Sequence, residues 1–112
     1  MNQEDKEELD TRIKAIADRS GFDLIFSRAA EEFAEASAAL LQYRRATYFG
    51  DGDAAEKYKE MLSELADCQV MLEQILYTLP ELQEKIQETR DFKIERTLGR
   101  YGIKIEKENA ND

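Results

Sequence analysis

Two pairs of acidic residues have the types and spacing that could support metal chemistry. Glu32 and Glu35 lie in the stretch "EEFAE", and the same spacing separates Glu64 from Asp67 in the stretch "ELAD". Residues three positions apart lie on one side of a helix, so each pair can present its two carboxylates together. Crowded carboxylates cost free energy unless a cation compensates their charge. The two pairs therefore indicate a site for a divalent cation.

Few side chains are available for other metal or nucleophile chemistry. The sequence contains no histidine and a single cysteine, Cys68. This excludes imidazole-dependent triads, histidine-ligated zinc and a disulfide within one chain. Any metal must be bound by oxygen atoms, which favours Mg²⁺, with Mn²⁺ or Ca²⁺ as alternatives. Cys68 itself is expected to pack on an apolar helix stripe.

The alternative for these acids is an ordinary solvated helix face. Carboxylates at the edge of an amphipathic helix are usually exposed to solvent. No lysine or arginine follows four positions after Glu31, Glu35, Glu64 or Asp67 to neutralise them, although Arg28 is placed to reach Glu31 or Glu32. The lack of neutralising partners favours the cation site.

Start signals predict where the helices begin. Three stretches have a capping residue followed three positions later by an acid: "SGFD" from Ser20, "DAAE" from Asp53 and "TLPE" from Thr78. With 42% hydrophobic residues, 37% charged residues and a single proline, the composition suits amphipathic helices. We predict an all-α fold, a four-helix bundle with helices over about residues 4–18, 21–49, 54–78 and 80–98.

The second and third helices are expected to bring the two acid pairs together. Each helix has one main apolar stripe. That of the second helix includes Phe22, Ala29, Phe33, Ala36 and Leu40, and that of the third includes Tyr58, Leu65, Cys68 and Leu72. Both acid pairs lie at the same shoulder of their stripe, about midway along the helix. The short turn "FGDGD" predicts antiparallel neighbours. Four carboxylates can then converge in a half-buried cleft.

Length and charge limit the class of protein. The 112 residues suit one domain, which we place at residues 1–98, followed by a polar and mobile tail at 99–112. The net charge of -9 argues against nucleic-acid partners and against anionic membrane surfaces. The sequence has neither a membrane-spanning apolar run nor a signal-peptide pattern, so a cytoplasmic location is expected.

The fourth helix changes character along one face. Its apolar stripe begins with Leu82 and Ile86 and continues in the same sector with Lys93 and Arg96. One interpretation is that these cations reach phosphate groups opposite the acids. The other is that the helix end leaves the core and its cations complement the helix dipole.

The third helix is apolar on more than one side. Val70, Met71 and Tyr77 lie away from its main stripe. A single four-helix chain would not cover both faces, so we expect oligomerisation to complete the bundle, as a homodimer or homotetramer.

The acid stretches, followed by "DFKIERT", resemble one protein family. The order EExxE then ExxD, in this helical context, is similar to the MazG-like all-α nucleoside triphosphate pyrophosphohydrolases of bacteria and phages. The resemblance extends over nearly the full domain. It implies water-dependent cleavage between the α and β phosphates, giving a nucleoside monophosphate and pyrophosphate.

The resemblance also implies roles for particular residues. Mg²⁺, or Mn²⁺ in its place, would be held by four acids: Glu32, Glu35, Glu64 and Asp67. Catalytic roles fall to Glu31 and Glu35, with Glu31 as a supporting acid or a group that orients water. Lys93 and Arg96 match the family's cations that bind the substrate phosphates. The substrate would be a nucleoside triphosphate.

Other functions remain open from the sequence. One is a non-catalytic helical interaction or assembly module on the same scaffold, and another is a Ca²⁺ or Mn²⁺ site used only for structure. The stretch "DLIFSR" before the acids is apolar where relatives often carry polar groups, which leaves base and sugar preference undetermined.

Overall fold

The structure is a computed structural model that describes residues 9–106. It contains four helices in this range: α1 (Thr11–Ser20), α2 (Phe22–Tyr48), α3 (Ala54–Thr78) and α4 (Glu81–Tyr101). These residues form no strand. The prediction of an all-α fold with four helices is confirmed for this part of the chain. In this part of the chain, no helix is both long enough and apolar enough to cross a bilayer.

The first helix starts later than predicted. Leu9 and Asp10 are not helical, and the predicted helical residues 4–8 lie outside the described residues. The Asp10 carboxylate accepts a hydrogen bond from the backbone N–H of Arg12 at 2.9 Å and also pairs with the Arg12 guanidinium. These hydrogen bonds lower the pKa of Asp10 to about 2. A carboxylate that satisfies a first-turn amide fixes the helix start at the next residue.

The start of α3 follows its predicted signal. The Asp53 carboxylate accepts hydrogen bonds from the backbone N–H groups of Ala55 at 3.0 Å and Glu56 at 3.3 Å. Such a cap is worth about 1 kcal/mol relative to alanine. Before it, Gly50 and Gly52 adopt φ values of 69° and 104°, a region that favours glycine. The prediction that α3 begins after Asp53 is confirmed.

The other two predicted start signals are wrong in detail. Ser20 is the last residue of α1, and the break before α2 is made by Gly21, with φ 85° and ψ 164°. Thr78 is the last residue of α3, where its hydroxyl donates to the Gln74 carbonyl at 2.8 Å. A hydroxyl that bonds back into the preceding turn cannot cap the next helix.

The end of α4 also differs from the prediction. It continues through Tyr101, so the first three residues of the predicted tail are helical. Residues 107–112 of that tail lie outside the described residues. The chain forms two compact units, of which the first contains α1–α3 and the second contains α4. The single-domain boundary at residue 98 stays a prediction.

Helices α2 and α3 form an antiparallel hairpin. Lys57, near the start of α3, donates to Gln42 near the end of α2 at 3.3 Å. Farther along α3, the Cys68 thiol contacts Glu32, which lies farther back on α2. The order of contacts therefore runs in opposite directions along the two helices. Their midpoints, which carry the acid pairs, lie side by side.

Alanines line the buried face of α2. Ala29, Ala36, Ala39 and Ala46 are all buried, together with Ile25, which is only 1% exposed. Small side chains let two helix backbones approach closely. The buried face of α2 is therefore mostly alanine, with Ile25 as its one large buried apolar side chain among the described residues. The closeness of the two backbones sets how near side chains from opposite helices can come.

Helix α1 packs against the end of the hairpin that lies away from the turn between α2 and α3. Ala17 joins Ile25, Ala29 and Met71 in the core cluster. The Tyr77 hydroxyl of α3 donates to the Asp18 carboxylate of α1 at 2.7 Å. This combination of apolar contact and hydrogen bond fixes α1 to α3.

The predicted stripes of α2 and α3 are only partly buried. We call the row of buried residues along each helix its buried line. The apolar flank is a set of exposed large side chains beside the buried lines of α2 and α3: Phe22, Phe33, Leu40, Tyr58, Leu65 and Leu72. Around each helix axis, these residues lie about 70° to 130° from the buried line, and the direction of this rotation is the same in α2 and α3. Because the two helices are antiparallel, equal rotations place the apolar flank on one side of the hairpin. Glu35 and Asp67 lie on the opposite side. The flank was expected inside the core, and the alanine-mediated packing leaves it outside.

Candidate metal centre

Three of the predicted acidic residues meet between α2 and α3. One carboxylate oxygen from each of Glu32, Glu35 and Glu64 lies within 4.8 Å of those of the other two. Ligand oxygens at about 2.0–2.6 Å from one hard cation are separated by distances in this range. The antiparallel hairpin therefore brings acids 29 or more positions apart in the sequence to a spacing that one ion can bridge.

Asp67 lies beside this group of three. Burial, and then interaction with the Asp67 carboxyl, raise the pKa of Glu32, as expected for two acids that lie near each other. The structure thus places all four acids assigned to the metal in one region. Their role as metal ligands stays a prediction.

Two oxygens of the cluster are sealed from water. Glu32 and Glu64 are half-buried, whereas Glu35 is exposed. The Oε2 atoms of both Glu32 and Glu64 are buried and have no hydrogen-bond partner while the four acids are ionised, because a hydrogen bond between two carboxyl groups needs a proton. A buried carboxylate oxygen without a partner is unfavourable and is relieved by a proton or by a cation. Acidic side chains on a helix surface often have no ion, and at these two sealed oxygens either a proton or a cation would relieve the cost.

Without a cation, the electrostatics of the cluster favour the protonated forms of Glu32 and Glu64. Burial is the main cause that raises the pKa of Glu32, followed by the hydrogen bond with Asp67 and the negative charges of its acidic neighbours. The pKa of Glu64 is also raised, first by burial and then by a hydrogen bond with Glu35 and the charges of Glu35 and Asp67. A divalent cation at this position would reverse these effects, because it favours the ionised carboxylates.

The donor set fits a hard divalent cation. All available side-chain ligands at the cluster are carboxylate oxygens, and two of these oxygens lack any other partner. Oxygen-only donors of this kind are typical of Mg²⁺, Mn²⁺ and Ca²⁺ sites. The sequence prediction of an oxygen-ligand site and the observed arrangement are compatible.

The remaining predicted site residues lie outside the group of three. Glu31 is exposed and precedes Glu32 on α2. Lys93 and Arg96 are exposed on α4, where the Arg96 guanidinium lies 5.9 Å from the centre of the Phe92 ring. Because α4 belongs to the second compact unit, phosphate binding by these two cations stays a prediction.

Sequence reasoning placed Cys68 on the apolar stripe of its helix but missed its contact with Glu32. The Cys68 thiol donates to the backbone carbonyl of Glu32 at 3.5 Å, at the level of the acids. Burial, and then the charges of Glu32, Glu64 and Asp67, raise the pKa of this thiol. Its place directly after Asp67 could have indicated this proximity, because neighbouring positions on a packed helix share its depth along the hairpin.

No known protein family, curated protein or solved structure matches the chain. The resemblance to the MazG-like family therefore rests on the acid stretches and on "DFKIERT", and it stays a prediction.

Proposed function

We propose that the chain is a Mg²⁺-dependent nucleoside triphosphate pyrophosphohydrolase that releases a nucleoside monophosphate and pyrophosphate. The observation that carries this proposal is the pair of sealed, unpartnered oxygens, Glu32 Oε2 and Glu64 Oε2, at a point where three carboxylates converge. With the carboxylates ionised, such an arrangement is unfavourable without a cation and suited to one. The resemblance of the acid stretches to the MazG-like family directs the proposal toward nucleoside triphosphates.

Each residue then has a role in the proposed reaction. Four acids hold the cation: Glu32, Glu35, Glu64 and Asp67. When bound, Mg²⁺ supplies positive charge against the triphosphate oxygens. Exposed Glu31 orients the attacking water and accepts its proton, with Glu35 as the second catalytic carboxylate. Lys93 and Arg96 donate hydrogen bonds to phosphate oxygens.

A panel of ribo- and deoxyribonucleoside triphosphates tests this function. We expect equal amounts of monophosphate and pyrophosphate in the presence of Mg²⁺, and no reaction in EDTA. An analogue with a methylene group between the α and β phosphates should resist cleavage. An analogue with the methylene between the β and γ phosphates should still be cleaved. Release of inorganic phosphate in place of pyrophosphate would contradict the proposed bond cleavage.

We also infer that the bundle is of the MazG-like type and that a second copy completes it. The apolar flank of the hairpin leaves large side chains exposed, including Phe33, Leu40 and Leu65 at 44%, 46% and 42%. Exposed large apolar side chains grouped on one side of a helix pair are typical of an interface between subunits.

Light scattering coupled to size exclusion tests this inference. Wild-type protein is expected to elute as a dimer or tetramer, and Leu65→Lys is expected to shift it toward the monomer because it places a charge in the apolar flank. Ser63→Lys, at an exposed polar position of the same helix, is the matched control and should leave the mass unchanged. A monomeric wild type would contradict the inference.

The apolar flank also favours a second candidate function, a non-catalytic interaction module. In that case the flank binds another protein and the acids serve no reaction. Calorimetric titration with Mg²⁺ and nucleoside triphosphates separates the two candidates, because the module would give no heat of binding for either.

A further inference from the structure

Cys68 contacts the backbone of a proposed metal ligand from the opposite helix. The Sγ atom lies 3.5 Å from the carbonyl oxygen of Glu32, and the contact is partly buried. Cys68 follows Asp67 directly and lies one helical turn after Glu64. One small side chain of α3 therefore contacts α2 at the level where the acids from both helices meet.

The separation of the two helices at this level determines the spacing of the acids. Glu32 and Glu64 belong to different helices, and their oxygens lie within 4.8 Å of each other, so a change in the separation of the helices at this level would change that distance. A shift of about 1 Å is enough to impair a metal or catalytic site. The side chain that fills the interface here must therefore be small, and it must not push α2 away.

We propose that Cys68 is a positioning residue, which holds the Glu32 backbone against α3 and thereby sets the distance between the acids of the two helices. This role rests on the proposed function, in which these acids hold a cation. A thiol suits the position because it is compact and packs as an apolar group. It also retains a weak hydrogen-bond donor for the carbonyl of Glu32.

Mn²⁺ binding, followed by the loss of the free-ion electron paramagnetic resonance signal, tests the role. Cys68→Ala removes the donor and part of the contact, and we expect the dissociation constant for Mn²⁺ to rise about tenfold, as for the loss of other groups that orient metal ligands. Cys68→Ser keeps a donor at the position and should bind Mn²⁺ more tightly than Cys68→Ala. Thermal unfolding in EDTA measures the stability of each variant separately.

Ile75→Val is the matched control. Ile75 is half-buried on the same helix, packs against the core cluster and lies two turns beyond Cys68. Its truncation should lower the melting temperature without changing Mn²⁺ affinity. If Ile75→Val weakens Mn²⁺ binding as much as Cys68→Ala, Cys68 contributes only general stability and the positioning role is wrong.

Two further outcomes separate this role from the proposed function. If the wild type binds Mn²⁺ and Cys68→Ala binds it equally well, the positioning role is overturned while the metal centre stands. If the wild type binds no Mn²⁺ at millimolar concentration, the metal centre itself is wrong and the positioning role is overturned with it.

Discussion

Replacing Glu35 with glutamine, or Asp67 with asparagine, is expected to reduce pyrophosphate release at least about a hundredfold, because loss of groups that merely orient metal ligands already costs 10–100-fold. Glutamine and asparagine keep the shape of the side chain but remove its negative charge. Each proposed ligand is then a weaker donor for a hard cation. The assay is pyrophosphate release at saturating Mg²⁺ with whichever nucleotide the wild type cleaves best.

The fold should survive both substitutions. Glu35 is exposed, Asp67 is exposed, and neither contributes to the buried line of its helix. The far-ultraviolet circular dichroism spectrum and the melting temperature in EDTA are therefore expected to stay at or above wild-type values. Glu60→Gln is the matched control on α3, since Glu60 is exposed and pairs with Lys57 at 3.3 Å rather than with the acid cluster. Wild-type turnover in either test variant would reject the assignment of the site.

The sequence was sufficient to predict the helices that carry this site. Asp53 gave the correct start of α3 because its carboxylate caps the first turn locally, within three residues. Ser20 and Thr78 gave wrong starts for the opposite reason: both belong to the preceding helix, where Thr78 bonds back to Gln74. Local sequence shows that a helix breaks near these residues but does not show on which side of the break each one falls.

The placement of the acids was predictable, whereas the burial around them was not. Helical periodicity and a short turn require Glu32 and Glu64 to face a common cleft. The predicted stripe of α2 combined Phe33 and Leu40 with Ala29 and Ala36, and of these four the structure buries only the two alanines. The choice between large and small side chains at a helix interface depends on tertiary packing. The apolar flank, and the contact between Cys68 and Glu32, both follow from that choice.

The same cluster should make the metal-free protein less stable at high pH. The pKa values of Glu32 and Glu64 are raised in the folded chain, so folding favours their protonated forms. The stabilisation from these two protons is complete below pH 4.5, the ordinary pKa of glutamate, and is lost as the pH rises through the raised values. In EDTA, the melting temperature of the wild type should therefore fall relative to that of Glu64→Gln between about pH 4.5 and pH 8.

Glu64→Gln is expected to melt above the wild type in EDTA at pH 8. The substitution removes a charge from a crowded acidic cluster, and the new amide can donate to the Glu35 carboxylate. Glu60→Gln again serves as the control, because it removes the same charge one turn away and should show no such gain. A Glu64→Gln variant that melts below the wild type at pH 8 without metal would contradict the electrostatic interpretation of the cluster.

Mg²⁺ should reverse the order of the melting temperatures of the wild type and Glu64→Gln. A ligand at 100 times its dissociation constant stabilises a folded protein by about 2.7 kcal/mol, and the wild type is expected to gain stability of this order. Glu64→Gln should gain little, because it lacks one of the two sealed oxygens that a cation would bind. The variant would thus be more stable than the wild type in EDTA and less stable in Mg²⁺. Only a cation that binds these carboxylates produces that crossover, since a general loss of packing would lower both melting temperatures together.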